Sequence, residues 1–314
     1  MKVTLGIFTD VDDFDAQDFL KRLASESGRA SVVLTMTPEQ LDVLPRWEAV
    51  SRYAKIWIRF NWGYQGRGTL PFPDAPEADE FRRALRRLFA FERWLGGVFV
   101  GNEPNNPQEW PGGRPLGADH VAEWVASAWW MAPIRLPVGP PPVDLFNPSL
   151  GSPYAYLDAM AGGIKRRGAR IEFATAQLKT QTSAPPLEQE PYRFSDPPLV
   201  GESMNLGATF KALGVFYRHI APPVLVIPEA NPQRKTLSPL FLAEDRHYGW
   251  ADDSRSVAGW IDASVRVLLI ALRAFPIREA YVHAYRWARD EWEIRSRGDI
   301  QDAIIRIARQ IHRL

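Results

Sequence analysis

The chain has 314 residues, 46% of them hydrophobic and 24% charged, which is long enough for a large core and too apolar for an intrinsically disordered polypeptide. Lys and Arg number 38 against 37 Asp and Glu, so no cationic excess exists to neutralise a phosphate backbone, and nucleic acid is not an expected partner. The absence of cysteine excludes disulfides, thiolate metal sites and a thiol nucleophile.

The most apolar uncharged stretch, 124–134, is broken by Pro133 and falls far short of the ~18 residues of a membrane span. It reads as a core helix, and no membrane partner is expected. The opening run from Met1 to Phe8 meets Asp10 before a signal-peptide core can form, and no small-residue cleavage site follows. A cytoplasmic location is therefore expected, or an extracellular one if the chain is a trimmed form. Twelve Trp, 16 Phe and 9 Tyr exceed what a core of this size usually needs, and flat rings with a polar edge are good platforms for sugars.

In chain order, short apolar runs alternate with stretches of helical period. A strand at 3–8 is followed by a helix over 13–28, a strand at 31–34, a helix over 38–54 and a strand at 56–60. Phe81, Ala84, Leu85, Leu88 and Phe89 then make the dry face of a helix whose arginines, Arg82, Arg83, Arg86 and Arg87, read as its solvated side. Strands at 97–100, 134–138, 170–176 and 224–227 come next, separated by helices over 118–131, 154–168 and 202–220. Two amphipathic helices, over 260–272 and 300–311, bracket a last strand at 280–285. The fifth strand is crowded by Pro137 and the run Pro140-Pro141-Pro142, which fit only at a strand end.

Eight strand-then-helix units without a break in composition predict an α/β chain folded as a single (β/α)8 TIM barrel over residues 1–314. Loops rich in Pro, Gly, Asn and Asp follow the strands at 61–76, 102–117, 139–153, 178–198 and 231–253. In this architecture such loops build the active face.

Residues just beyond the carboxyl ends of the strands are therefore the ones placed for chemistry. Strand four runs into Gly101-Asn102-Glu103-Pro104-Asn105, strand seven into Pro228-Glu229-Ala230-Asn231, and strand eight contains His283 and leads through Tyr285-Arg286 to Trp287. Two glutamates that each close an apolar strand suit acid–base work on a glycosidic bond, in which one carboxyl holds a proton while its neighbour stays ionised. Strands four and seven lie across the mouth of a small barrel, so their ends can face one another.

These motifs resemble those of the clan A (β/α)8 glycoside hydrolases, which include cellulases, mannanases, xylanases and β-glucosidases. The resemblance spans the barrel but is carried by Asn102-Glu103-Pro104, Glu229 and Trp287. It implies that Glu103 is the general acid/base, that Asn102 bonds the sugar 2-hydroxyl, that Glu229 is the nucleophile and that Trp287 floors the subsite of the attacked sugar. It also implies retention of anomeric configuration without a metal or other cofactor. Where many members carry a Tyr or His after strand six to hold the nucleophile, this chain has Gln177, with Tyr285 or His283 as substitutes. Arg59, two residues before Asn61-Trp62, reads either as the cation that keeps the nucleophile ionised or as the partner of a structural carboxylate. Trp62, Tyr64, Trp110 and Trp250 are candidate subsite aromatics.

Other chemistries find less support. The five histidines form no i,i+4 pair and no His-Glu-x-x-His, so no metal is expected. Gly201 to Asn205 lacks the second glycine of a nucleophile elbow, and Gly63 to Gly68 is misspaced for a dinucleotide loop. The expected activity is retaining hydrolysis of β-glycosidic bonds in an oligo- or polysaccharide. A transglycosidase on the same site and a barrel that binds carbohydrate without cutting it are the alternatives. Sugar identity and oligomeric state are not legible.

Overall fold

A computed structural model describes residues 1–180, 206–232, 264–270, 272–288 and 294–311. It is a (β/α)8 barrel whose strands are all parallel. The sheet runs β5(Val138–Gly139), β4(Gly97–Val100), β3(Ala54–Phe60), β2(Ala30–Met36), β1(Lys2–Asp10), β9(Glu279–Arg286), β8(Val224–Pro232), β6(Phe173–Thr175). A further segment, β7(Leu178–Thr180), also pairs with β8, so β6 and β7 are two parts of the sixth staff of the barrel.

Period-two alternation divides the strand residues between two cores. Phe8, Val33, Trp57, Phe99, Phe173, Val226 and Tyr281, each from a different strand, meet inside the barrel. Trp57 sits edge-on to both Phe173 and Tyr281, with ring centroids 5.0 Å apart in each case. Their outward neighbours, among them Ile7, Val32, Ile56, Ile58 and Val98, pack under the helices. Those helices are α1(Ala16–Ser27), α2(Glu77–Phe89), α3(Ala118–Met131), α4(Pro153–Arg166), α5(Leu206–Tyr217), a helical segment at 264–270, which is α6, and α7(Gly298–Ile311). In α2 the dry face is Phe81, Ala84, Leu85, Leu88 and Phe89, and Arg83, Arg86 and Arg87 are exposed, as the periodicity predicts.

The barrel is stitched differently at one seam. No backbone ladder joins β5 to β6; instead Val138 N–H donates to Glu172 Oε2 at 3.2 Å and Thr175 Oγ1 donates to the Pro140 carbonyl at 2.8 Å. Gly139 is obligatory there, because a Cβ would lie 2.4 Å from the Phe173 ring.

Several elements differ from their sequence expectations. The fifth strand is two residues, not the five of 134–138: Ile134 is fully exposed, and prolines on both sides withhold the N–H groups a longer ladder needs. The helix expected over 38–54 is two 3-10 segments, Pro38–Gln40 and Leu44–Arg52, each opened by a proline at its first or second position. The sixth staff reaches beyond residue 176 into what reads as a loop. Most of the expected loops at 178–198 and 231–253, and the first residues of the helices expected over 202–220 and 260–272, lie outside the described residues.

Candidate active site

The chain end of β4 is unusual in its backbone. Gly101 has φ 86° and Glu103 has φ 36°, the one positive value at a non-glycine residue among those described. A glutamate in this region is strained by roughly 1–3 kcal/mol and persists only where its surroundings fix it. Those surroundings are visible. Thr69 Oγ1 accepts from Asn102 N–H at 2.6 Å and donates to Asn61 Oδ1 at 3.1 Å, while Glu103 N–H donates to the Pro142 carbonyl at 3.0 Å. The Glu103 carboxylate accepts from Gln177 Nε2 through Oε1 and from Asn106 Nδ2, at 3.2 Å, through Oε2. Two neutral amides thus hold a carboxylate that is 8% exposed.

Glu229 arrives from the opposite side by a different device. In β8, Val224 and Val226 belong to the inner core, so strict alternation would turn residue 228 inward and 229 outward. The register of β8 on β9 shifts between Ile227 and Ala230, and this bulge inserts one extra residue. Ala230 then faces out opposite Ala284 and Glu229 faces in.

Arg59 of β3 joins the two strand ends. Its Nη1 donates to Asn102 Oδ1 at 3.0 Å and also to Glu229 Oε1, and its Nε donates to Thr35 Oγ1 at 2.9 Å. Burial works against the guanidinium charge, and the Glu229 carboxylate more than offsets it, so Arg59 is held above its ordinary value. Of the two readings of Arg59, the geometry therefore supports the pairing with Glu229.

A third carboxylate escaped the sequence reading. Asn106 caps the short 3-10 segment Pro107–Glu109 by accepting from Gln108 N–H at 3.1 Å, and this fold-back brings Glu109 Oε1 within 3.0 Å of Asn102 Nδ2. Burial pushes the Glu109 carboxyl up to about 7; the Asn102 amide pulls it down, and the charge of Glu103 adds to the rise. Glu109 also lines an open groove of about 580 Å3, with Tyr64 and Trp110 among its walls. Only the pattern Asn-Pro-x-Glu hinted at the turn; nothing local announced where its glutamate would point.

The structure gathers Glu103, Glu229, Asn102, Arg59 and Gln177 into one cluster, with Asn61 one bond behind it through Thr69. Three expected residues stand elsewhere. His283 is fully buried inside the barrel, its Nδ1 bonded to the Ile227 carbonyl and its Nε2 to Ser31 Oγ, each at 2.8 Å. It ties β9 to β8 and β2 instead of facing a ligand. Trp287 turns outward, stacked on Phe19 of α1 with centroids 5.5 Å apart and donating to Asp15 at 3.1 Å, so it does not floor a sugar subsite. The same β9 irregularity that displaces it turns Arg286 towards Asp10, 2.9 Å away. Trp62 is 4% exposed and packs edge-on against Phe81, with Arg67 over its other face, so it serves the loop core. Tyr285 lies in β9, but its side chain and the whole of Trp250 lie outside the described residues.

No protein-family model matches the chain, and no curated protein is detectably similar to it in sequence. Solved structures are similar in shape. A psychrophilic glycoside hydrolase family 10 endo-β-1,4-xylanase superposes with a TM-score of 0.55 at 11% identity, covering 97% of this chain and 96% of its own. A GH10 endoxylanase retrieved from a sugarcane soil metagenome gives 0.56 at 11% identity, covering 90% of this chain and 86% of its own. The catalytic domain of GH30 xylanase C from Talaromyces cellulolyticus gives 0.53 at 7% identity, covering 99% and 76%. In fold, the chain is a (β/α)8 barrel of the form shared by these glycoside hydrolases.

Proposed function

We propose that the chain is a retaining glycoside hydrolase acting on β-glycosidic bonds of an oligo- or polysaccharide, with Glu229 as nucleophile and Glu103 as general acid/base. The observation that carries this reading is that the ends of the fourth and seventh staves meet, Arg59 bonding both Glu229 and Asn102, the residue that precedes Glu103. The two environments differ in the way the chemistry needs. Glu229 abuts a guanidinium, which favours an ionised nucleophile, whereas the partners of Glu103 include two neutral amides, Gln177 and Asn106. Likeness of fold to the xylanases raises the prior for glycosidase chemistry but names no sugar for this chain.

In the proposed cycle Glu229 attacks the anomeric carbon while Glu103 protonates the departing oxygen, giving a covalent glycosyl-enzyme. Glu103 then draws a proton from water, whose oxygen displaces Glu229. Gln177 Oε1 is buried and has no donor among the described residues, so it is an acceptor placed beside Glu103 for a sugar hydroxyl. The groove past Tyr64, Glu109 and Trp110 would carry the neighbouring sugars.

Aryl β-glycosides and polysaccharides, assayed with Glu229→Ala and Glu103→Gln, test the assignment. Glu229→Ala should lose nearly all turnover, and azide should restore it with a product of inverted configuration. Glu103→Gln should suffer least on leaving groups that need no proton. Unchanged turnover in Glu229→Ala removes that residue from the mechanism, and equal loss of Glu103→Gln on every leaving group removes the acid role. Products formed with an acceptor sugar present would separate transglycosylation from hydrolysis.

A further inference from the structure

The opposite end of the barrel holds a second cavity, of about 910 Å3, opened by the first residues of β1, β2, β3 and β9. Its lining carries six cations, Lys2, Lys21, Arg29, Arg52, Lys55 and Arg93, against one carboxylate, Glu279. Over the whole chain the two signs nearly cancel, so the imbalance is local. Lys2 approaches Glu279 at 4.0 Å, but Lys21, Arg52, Lys55 and Arg93 have no ion-pair partner among the described residues.

This face of a (β/α)8 barrel ordinarily serves stability. Gathering like charges around one hollow does the reverse, since each repels the others. Lys55 shows the strain most clearly. Its stem crosses Gly96, where a Cβ would meet Lys55 Cε at 2.6 Å, and its amine lies 5.7 Å from the ring centre of Trp57 at the inner core. Although Lys55 stays open to solvent, partial desolvation by the cavity walls holds that amine below its ordinary value, with Glu279 opposing and Lys2 adding to the effect. An anion in the cavity would offset the repulsion among these charges. The walls also include aromatic faces, Tyr53 and Trp94, against which a flat ring can stack.

We propose that this cavity is a binding site for a small organic polyphosphate, whose phosphates are held by Lys2, Lys21, Arg52, Lys55 and Arg93 and whose ring lies against Tyr53 or Trp94. It is remote from the glutamate cluster and does not depend on the function proposed for that cluster.

Calorimetric titration of the unsubstituted chain with ATP, tripolyphosphate and inorganic phosphate tests it. Saturable binding of ATP is expected, weaker binding of tripolyphosphate and the weakest of phosphate, all falling with added salt. Equal binding of ATP and tripolyphosphate would overturn the ring contact, and no saturable binding of either would overturn the site. The double variant Lys55→Gln, Arg93→Gln should weaken ATP binding by about tenfold or more. Arg83→Gln, Arg86→Gln, which removes two exposed cations from α2, should leave it within about twofold. Equal weakening by both pairs would overturn the proposal in favour of unspecific attraction. Should the first pair fail to fold, hydrogen–deuterium exchange of the unsubstituted chain decides: added ATP should protect 29–30, 52–55 and 93–95, and protection elsewhere or nowhere refutes the site.

Discussion

At the scale of residues, the mouth gathers Arg59 bonded to Glu229 and Asn102, Glu109 on the Asn102 amide, and Glu103 next in the chain. Glu103 and Glu229 are legible in the sequence as candidates because each stands just beyond an apolar run near the carboxyl end of a strand, although the inward turn of Glu229 depends on the β8 bulge. Glu109 is not, because its place depends on a turn six residues downstream of Glu103 and on the amide of Asn102 that it reaches. Its carboxyl has a consequence that can be measured. With a folded value of about 7 against an ordinary 4.5, Glu109 holds its proton in the folded chain over a range in which the unfolded chain has lost it. Its stability contribution is thus complete below about pH 4.5 and is lost as pH rises through 7, by at most about 1.4 kcal/mol per pH unit. Carboxyl-carbon NMR should show a glutamate titrating near 7 that disappears in Glu109→Gln. A spectrum unchanged by the substitution would assign that titration to another carboxyl.

Among the elements, helices such as α2 are easier to read than the strands that border the candidate site. A dry stripe such as that of α2 is a local property, whereas the fifth and sixth staves are decided by prolines and by partners far away in the chain. The seam between β5 and β6 shows how little backbone pairing closure requires when side chains substitute for it. Its weak point is Gly139 against Phe173. Gly139→Val should destabilise the fold by about 1–3 kcal/mol through overpacking, and Phe173→Ala in the same chain should recover part of that loss. Denaturant unfolding of the single and double variants gives the comparison, and strictly additive losses would mean that the ring is not what the new side chain meets.

Across the whole molecule, His283 links stability to pH. Burial lowers its value to about 3 from 6.5, its bond to the Ile227 carbonyl only partly opposing, so the folded chain keeps the ring neutral where the unfolded chain takes up a proton. Its contribution is therefore present above pH 6.5 and is lost as pH falls towards 3, again by about 1.4 kcal/mol per unit. This runs opposite to Glu109. Thermal midpoints measured from pH 4 to pH 8 should consequently be highest between the two, and His283→Gln should flatten the acid side. An acid limb unchanged by that substitution would assign acid lability to other groups. The histidine reads equally well as a ligand or as a core residue from its strand position alone, since only the hydroxyl of Ser31 and the Ile227 carbonyl decide.

The surplus residue in the seventh staff bears on how sequences of such barrels are compared. A column-by-column comparison that lets Val226 match the same rung of an unbulged barrel sets Glu229 opposite a position that looks away from the lumen. In such a chain the place of a side chain is read from the meeting of strands in space and not from the order of its letters alone.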